Sequence, residues 1–274
     1  LRRFEKIEPK ILPKVLNIVV RKIEEENLKI WLRNDFFVKV SDLVEDIAIL
    51  KKAYLQQDEL NDHFDYSGEG LLAILNRDNG FLLEYIKEIF RKDRQERAKG
   101  HKELIIVWKL PNVEEILDEV IEYMANISNF YFISEHFANA FFQQLTDNVK
   151  RADKYLLRLI EKYYDQPKII RIAFDIILNT RKNLFEESFE TYIQKNQEVE
   201  CFKQIKWTDN QVVYSGNAIV GAIKAAKWEK LLNLVENAKL GTKTRAIRFY
   251  IKDRRDRELR YAEEEKKRKF FNSF

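Results

Sequence analysis

The feature that most constrains this chain is a series of amphipathic segments between residues 112 and 196. In each segment the apolar residues recur at i, i+3, i+4 and i+7, which is the period of an α-helix with one buried face. The clearest examples are residues 113–124, 155–163 and 169–177. This pattern predicts helices laid end to end and separated by short polar breaks.

The predicted helices also recur at a regular interval. They start near residues 112, 129, 147, 166 and 183. Two helices therefore form a unit of roughly 35 residues, a length typical of helix-pair repeats. Only this length recurs, because no set of letters is repeated. We predict an all-α fold, an α-solenoid of stacked antiparallel helix pairs similar to TPR or HEAT arrays.

Composition supports a helical fold. Seven Gly and four Pro are too few for a βαβ or all-β domain, which needs many turn residues. No apolar run reaches the roughly 18 residues of a membrane span, and no secretory signal opens the chain. The lone Cys201 fits a reducing compartment and is interpreted as a buried structural thiol. We expect a cytoplasmic protein that does not contact a membrane.

The predicted organisation has three parts. Residues 1–110 form an N-terminal helical segment, residues 111–206 the regular helix-pair repeats, and residues 207–274 the C-terminal capping helices. A small β-hairpin near 206–214 is an alternative for the start of the last part. The chain begins at Leu1 and its only methionine is Met124. We therefore expect a piece of a longer polypeptide, with any enzymatic domain upstream.

Several local predictions can be compared with a structure. Asp35 is expected to cap a single helix that continues from Phe37 to Leu55. The apolar run 104–108 is either a short strand or a buried helical turn. A predicted helix has a small early face, formed by Gly221, Ala222, Ala225 and Ala226, which predicts the close approach of another helix. We expect Gly241 to close this helix.

The sequence contains no convincing catalytic or metal site. Asp58, Asp62 and Asp65 surround His63, a set that could hold a divalent ion in a hydrolase, but a solvated acidic loop is the favoured interpretation. No glycine-rich phosphate loop is present, and no base lies near Cys201 in the sequence. We predict no catalytic residues, no metal and no cofactor, and hence no enzyme in this chain.

The positive charge is concentrated at the end of the chain. Residues 243–269 contain twelve Lys or Arg and six Asp or Glu. The cations that could neutralise phosphates of a nucleic acid are Lys252, Arg254, Arg255, Arg257, Arg260 and the basic residues 266–269. However, the interleaved carboxylates at helical ion-pair spacing favour a solvated helix with many salt bridges.

Aromatic residues provide a second candidate surface. Trp207, Tyr214 and Trp228 cluster in sequence around the possible hairpin. The favoured interpretation is core, although exposed aromatics on a concave face would be binding hot spots. The predicted partner-binding residues are Trp207, Tyr214, Arg254, Arg255 and Arg257.

The last quarter of the chain resembles a known family. The segments 207–216, 221–232 and 260–270 are similar to the C-terminal end of bacterial antiviral STAND NTPases of the Avs type. The resemblance implies an upstream effector and ATPase, followed by a TPR-like array. It also implies that this array recognises a phage protein, the large terminase or the portal, and so triggers oligomerisation.

Two functions follow as hypotheses. The first is a protein-binding sensor domain with a phage protein as partner, and with self-association in the full-length protein. The alternative is a nucleic-acid-binding helical domain that uses the basic last helix. Strongly salt-dependent binding would favour the alternative.

Overall fold

The computed structural model of the chain describes residues 9–60, 64–91, 101–127, 138–208 and 219–271. Throughout these ranges the regular structure is helical and contains no strand, so the predicted all-α fold is confirmed. No described helix is both long and apolar enough to cross a membrane. The stacking of these helices into a solenoid stays a prediction.

The described helices range from short 3-10 turns to the 27-residue helix at the end of the chain. The described α-helices are α1 (Leu12–Glu26), α2 (Asn34–Ser41), α3 (Ile47–Leu60), α4 (Glu69–Leu75), α5 (Phe81–Arg91), α6 (Val113–Ala125), α7 (Val149–Tyr163), α8 (Pro167–Thr180), α9 (Phe185–Lys195), α10 (Val199–Gln204), α11 (Val220–Asn237) and α12 (Arg245–Phe271). The described 3-10 helices are Pro9–Ile11, Lys102–Lys109, Ala138–Phe141, Lys182–Leu184 and Gly241–Thr244.

The chain forms two compact units, Leu1–Leu145 and Thr146–Phe274. The boundary between them lies inside the region 111–206, which was predicted as one array of repeats. Within that region, α6, α7 and α8 begin at or within two residues of the starts predicted near 112, 147 and 166. The helix predicted from residue 129 falls largely on 128–137, outside the described residues.

The first unit has an aromatic centre around Tyr54. The described rings in contact with it are Phe37 at 5.7 Å, Phe64 at 5.7 Å, Phe81 at 5.9 Å and Tyr85 at 5.4 Å. All meet Tyr54 close to edge-on, which is a favourable arrangement for aromatic pairs. These rings join α2, α3 and α5 into one core.

The single helix predicted from Phe37 to Leu55 is wrong, because the chain breaks between α2 and α3. Asp46 starts the new helix, since its Oδ1 accepts the Ala48 N–H at 2.9 Å. Arg77 fills the break: its guanidinium donates to the carbonyls of Ser41, Val44 and Glu45 at 2.7–2.9 Å. Carbonyls that lose their helical partners are thereby satisfied.

Two other local predictions are also corrected. Asp35 is not the cap of α2, because the helix begins at Asn34 and Asp35 instead pairs with Arg33 at 3.3 Å. The apolar run 104–108 is part of the buried 3-10 helix Lys102–Lys109, so the helical alternative is confirmed. Its Trp108 donates Nε1–H to the Phe141 carbonyl at 2.7 Å.

In the second unit, α11 packs closely against α12. A Cβ added at Gly221 would lie 2.6 Å from the Ala262 nitrogen and 2.6 Å from the Glu258 carbonyl oxygen. The predicted close approach is therefore confirmed at Gly221, and Ala225 is buried. The other two small residues of that face, Ala222 and Ala226, are exposed. Helix α11 ends at Asn237, so Gly241 does not close it; with φ of 59° it begins the turn that leads into α12.

Candidate functional site

An open groove of about 890 Å³ runs along one face of α12 in the second unit. Its lining is rich in cations and also contains two aromatic rings. The lining residues are Val199, Lys203, Thr242, Lys243, Arg245, Ala246, Phe249, Tyr250, Asp253, Arg254 and Arg257. We name this surface the basic groove.

Three elements build the basic groove. Helix α10 contributes Val199 and Lys203, and the turn before α12 contributes Thr242 and Lys243. The remaining lining residues of α12 recur at steps of three or four positions, which places them on one side of the helix. The opposite side carries the buried Ile247. One face of α12 therefore packs, while another presents charge.

Arg254 is held in place by aromatic rings. Its Nε donates to the Tyr250 hydroxyl at 3.1 Å, and its guanidinium lies 5.5 Å from the centre of that ring and 5.9 Å from the Trp228 ring. Cation–π contact and the hydrogen bond restrict the side chain while leaving its outer nitrogens exposed. A planar guanidinium fixed in this way can accept a carboxylate through two parallel hydrogen bonds.

The floor of the groove rests on the aromatic core of the second unit. Tyr250 meets Phe202 at 6.1 Å, and Phe202 stacks on Trp207 at 4.4 Å. Trp207 donates Nε1–H to the Phe202 carbonyl at 2.8 Å, which fixes the end of α10. Trp207 therefore supports Phe202, and Phe202 supports Tyr250 in the groove lining.

Trp207, which was predicted to bind a partner, is only 3% exposed. This burial favours the core alternative, since the side chain has almost no surface to offer. Its contacts make it a support of the basic groove. Tyr214, and the hairpin proposed near 206–214, fall largely on 209–218, outside the described residues.

The three predicted arginines separate in the structure. Arg254 and Arg257 line the groove. Arg255 does not: it pairs with Glu229 of α11 at 2.7 Å and with Asp256 at 2.8 Å. Hydrogen bonds to Glu229 and Asp256 raise the pKa of Arg255, so this side chain stays charged and contributes to packing between α11 and α12.

The predicted salt-bridge pattern of the last helix is confirmed in the described part of α12. Arg257 pairs with Asp253 at 2.8 Å, and the pairs of Arg268 and Lys269 with carboxylates four residues earlier lie at 3.9–4.0 Å. Exposed pairs of this kind contribute little stability individually. Their consequence is electrostatic, because they reduce the net positive charge of the helix.

Of the eleven lining residues, only Arg254 and Arg257 were predicted to bind a partner. Those missed include Lys203, Lys243, Arg245 and Phe249. Phe249 is 75% exposed. It lies two positions from the buried Ile247, which rotates it to another side of the helix. This offset from the apolar stripe could have indicated from the sequence that Phe249 is exposed. No comparable signal linked Lys203 to a helix some forty residues further on.

The acidic loop does not form a metal site in the described residues. No group of three or more His, Cys, Asp or Glu that could hold a metal is found there. Asp65 is instead structural: it accepts hydrogen bonds from the Tyr54 hydroxyl at 3.1 Å, from the Gly70 N–H at 3.2 Å and from the Leu71 N–H at 2.7 Å. The expectation that this loop is solvated is therefore wrong for Asp65, which is buried. His63 and Asp62 lie outside the described residues.

Cys201 is less buried than predicted. Its side chain is partly exposed on α10 rather than enclosed in the core. The apolar positions of that short helix are occupied by Phe202, whose ring is fully buried. The thiol therefore lies beside the core.

No known protein family, no curated protein and no solved structure matches the chain. The resemblance to antiviral STAND NTPases therefore stays a prediction. The basic groove is the strongest candidate site in the described residues, because it combines concave shape, cationic side chains and an exposed aromatic ring.

Proposed function

We propose that this chain is a protein-recognition domain, the sensor portion of a larger antiviral STAND NTPase that detects a phage structural protein. The observation that carries the recognition role is the basic groove. An exposed phenylalanine beside oriented cations is the composition of a binding surface, where aromatic and arginine side chains dominate the binding energy. The resemblance at the end of the chain supports the sensor role, and the all-α fold agrees with it.

A binding role also agrees with the chemistry of the groove. Its charged side chains are mainly Lys and Arg, with Asp253 as the only carboxylate among the described lining residues. Such a set attracts and orients an anionic partner but offers no nucleophile with a neighbouring base. We therefore propose that the groove binds, and that any nucleotide hydrolysis belongs to an upstream domain.

The test is co-elution of the purified chain with purified large terminase and with purified portal protein, at low and at high salt. A stoichiometric complex with one of them that persists at high salt is expected, since contacts buried in an interface are screened less than exposed ones. Binding to neither protein would overturn the sensor proposal.

The alternative function, nucleic-acid binding, makes a different prediction in the same experiment. Nucleic acid would be retained at low salt and lost as salt rises, because phosphate contacts release counterions. The structure supports this alternative less well, because four of its cations are engaged with carboxylates of the chain itself: Arg255, Arg257, Arg268 and Lys269.

A further inference from the structure

The basic groove has an apolar position that a partner can cover. Phe249 is 75% exposed and lies among charged side chains. A single exposed ring is common on protein surfaces. This ring differs in its surroundings, because it lies in a concave lining, where a partner side chain can meet it from the open side.

The groove also has cations that are not neutralised by the chain. Lys203 pairs with Glu200 at 2.7 Å and Arg257 pairs with Asp253 at 2.8 Å. Lys243, Arg245 and Arg254 form no ion pair within the described part of the chain. The groove therefore keeps an excess of about three positive charges.

Two of these cations lie at the amino end of α12. Arg245 is the first residue of the helix, and the preceding turn contributes Lys243 to the same groove. The Arg245 N–H is already used, because it donates to the Thr242 carbonyl. An anion placed there would therefore contact the side-chain cations.

The spacing of these cations fits a peptide better than a nucleic acid. From Arg245 to Arg254 the helix rises about 14 Å. Duplex DNA carries roughly one charge per 1.7 Å, far more than three cations over this length can neutralise. An extended peptide with two or three carboxylates spans this distance in about four to five residues.

We propose that the basic groove binds an acidic segment of a partner protein, with carboxylates on Lys243, Arg245 and Arg254 and one large apolar side chain covering Phe249. This inference rests on the proposed protein-recognition function and specifies its contact. Arg254 carries the most specific contact, because its guanidinium is already oriented by Tyr250 and Trp228. Orientation before binding reduces the entropy lost when the complex forms.

The experiment uses the full chain and a fluorescein-labelled peptide of about six residues with four glutamates and one phenylalanine, because about four to five extended residues span the cations of the groove. Controls are the same peptide with glutamines replacing the glutamates, and the same peptide with alanine replacing phenylalanine. Fluorescence anisotropy is expected to show saturable binding of the first peptide. Each control is expected to bind at least about tenfold more weakly, which corresponds to about 1.4 kcal/mol.

Matched variants of the chain locate the contact. Arg245→Ala with Arg254→Ala removes two groove cations, whereas Lys252→Ala with Arg260→Ala removes two exposed cations of the same helix outside the groove lining. We expect at least about tenfold weaker binding for the first pair and less than about twofold for the second. Equal losses would overturn the proposal, because binding would then follow total charge alone.

The apolar contact has its own pair of variants. Phe249→Ala is expected to weaken the phenylalanine peptide but to leave the alanine peptide unchanged, whereas Leu259→Ala, also exposed on α12, changes neither. All these positions are exposed, so circular dichroism should remain that of the unaltered chain. If Phe249→Ala binds the phenylalanine peptide and the alanine peptide equally well, the apolar contact is supported. If this variant still prefers the phenylalanine peptide, the contact is contradicted.

The remaining outcomes separate this inference from the proposed function. Absence of saturable peptide binding below about 1 mM, or tighter binding of a twelve-nucleotide single-stranded DNA, would overturn the acidic-segment proposal. A terminase or portal complex that tolerates Arg245→Ala with Arg254→Ala would retain the sensor function but refute this groove. Peptide binding without any phage-protein complex would leave the groove contact and refute the sensor.

Discussion

Each of the two units packs its aromatic core around one central ring, which is Tyr54 in the first unit and Trp207 in the second. In the first unit Tyr54 meets Phe37, Phe64, Phe81 and Tyr85. In the second unit Trp207 meets a similar set of rings at 4.4–5.3 Å: Phe174, Phe189, Tyr192 and Phe202. Each central ring has one polar atom, and the two units differ in how that atom is satisfied.

Tyr54 donates to a buried carboxylate, whereas Trp207 donates to a backbone carbonyl. Burial raises the pKa of Asp65, so the centre of the first unit contains a group that titrates. The indole and its carbonyl partner do not titrate in the range of protein stability. Similar aromatic packing therefore places a titrating carboxyl at the central ring of one unit and a hydrogen bond that does not titrate at the central ring of the other.

The largest expected effect is the loss of the second central ring. Trp207→Ala should reduce the free energy of unfolding by about 3–5 kcal/mol, because a fully packed indole leaves a large cavity. Trp31→Ala is the matched control, since Trp31 is 67% exposed. Urea denaturation followed by circular dichroism measures both. Equal losses in the two variants would contradict the central position of Trp207.

The contact between α11 and α12 provides the next effect. Gly221→Ala should destabilise the chain by about 1–3 kcal/mol, because the added methyl meets backbone atoms of α12 at 2.6 Å and a packed backbone cannot easily move. Ala222→Ser, at the neighbouring exposed position, is the control and should be nearly neutral. Hydrogen exchange of α12 amides should increase only in Gly221→Ala. Unchanged protection in that variant would show that the helices can separate at little cost.

A smaller effect is expected from the hydroxyl group of the first central ring. Tyr54→Phe keeps the packing but removes one hydrogen bond to Asp65, so the loss should be about 0.5–1.5 kcal/mol. Tyr66→Phe, an exposed position whose hydroxyl accepts from Lys102 at 3.1 Å, should change stability by less. Denaturation curves at neutral pH show which of the two variants loses more stability. Equal stability of Tyr54→Phe and the unaltered chain would mean that Asp65 needs only its backbone donors.

The smallest effect concerns pH. Burial raises the pKa of Asp65, although hydrogen bonds from Leu71, Gly70 and Tyr54 oppose the shift. Between the ordinary pKa of 3.8 and the raised folded pKa, the folded chain holds a proton that the unfolded chain has lost. The stabilising contribution of Asp65 is therefore fully present below 3.8. It is lost as pH rises through the raised folded pKa.

Comparing the unaltered chain with Asp65→Asn isolates this contribution. As pH rises from about 3 to 7, the unfolding free energy of the unaltered chain should fall relative to that of Asp65→Asn. Hydrogen exchange in the first unit assigns this change to the Tyr54 centre; the second unit cannot serve as the control, because burial also raises the pKa of Asp153 there. A difference that shifts in the opposite direction would show that the hydrogen bonds outweigh burial.

How far the fold could be predicted depends on where its determinants lie. The starts of α6, α7 and α8 follow from local apolar periodicity. The break after α2 does not, because Val40, Val44 and Ile47 continue a helical period across it. Its determinants are the local cap Asp46 and the distant Arg77, whose contacts only the folded chain brings to the break.

The site was predictable to the same limited extent. The basic character of α12 was visible, and two of its arginines do line the groove. Arg255 follows Arg254 directly, but one residue turns a side chain by about 100° around the helix, which is enough to direct it to Glu229. Lys203 joins the site only through tertiary packing, which a single sequence does not reveal.

Trp228 lies beside the Tyr250 ring of the groove, so its intrinsic fluorescence should report binding. Trp228 is half-buried, lies 6.0 Å from the Tyr250 ring and is covered by the Arg254 guanidinium at 5.9 Å. A carboxylate that binds Arg254 changes the charge beside this indole. Its emission should then shift without any attached dye, and Trp228→Phe removes that signal while leaving the emission of the buried Trp207 in place.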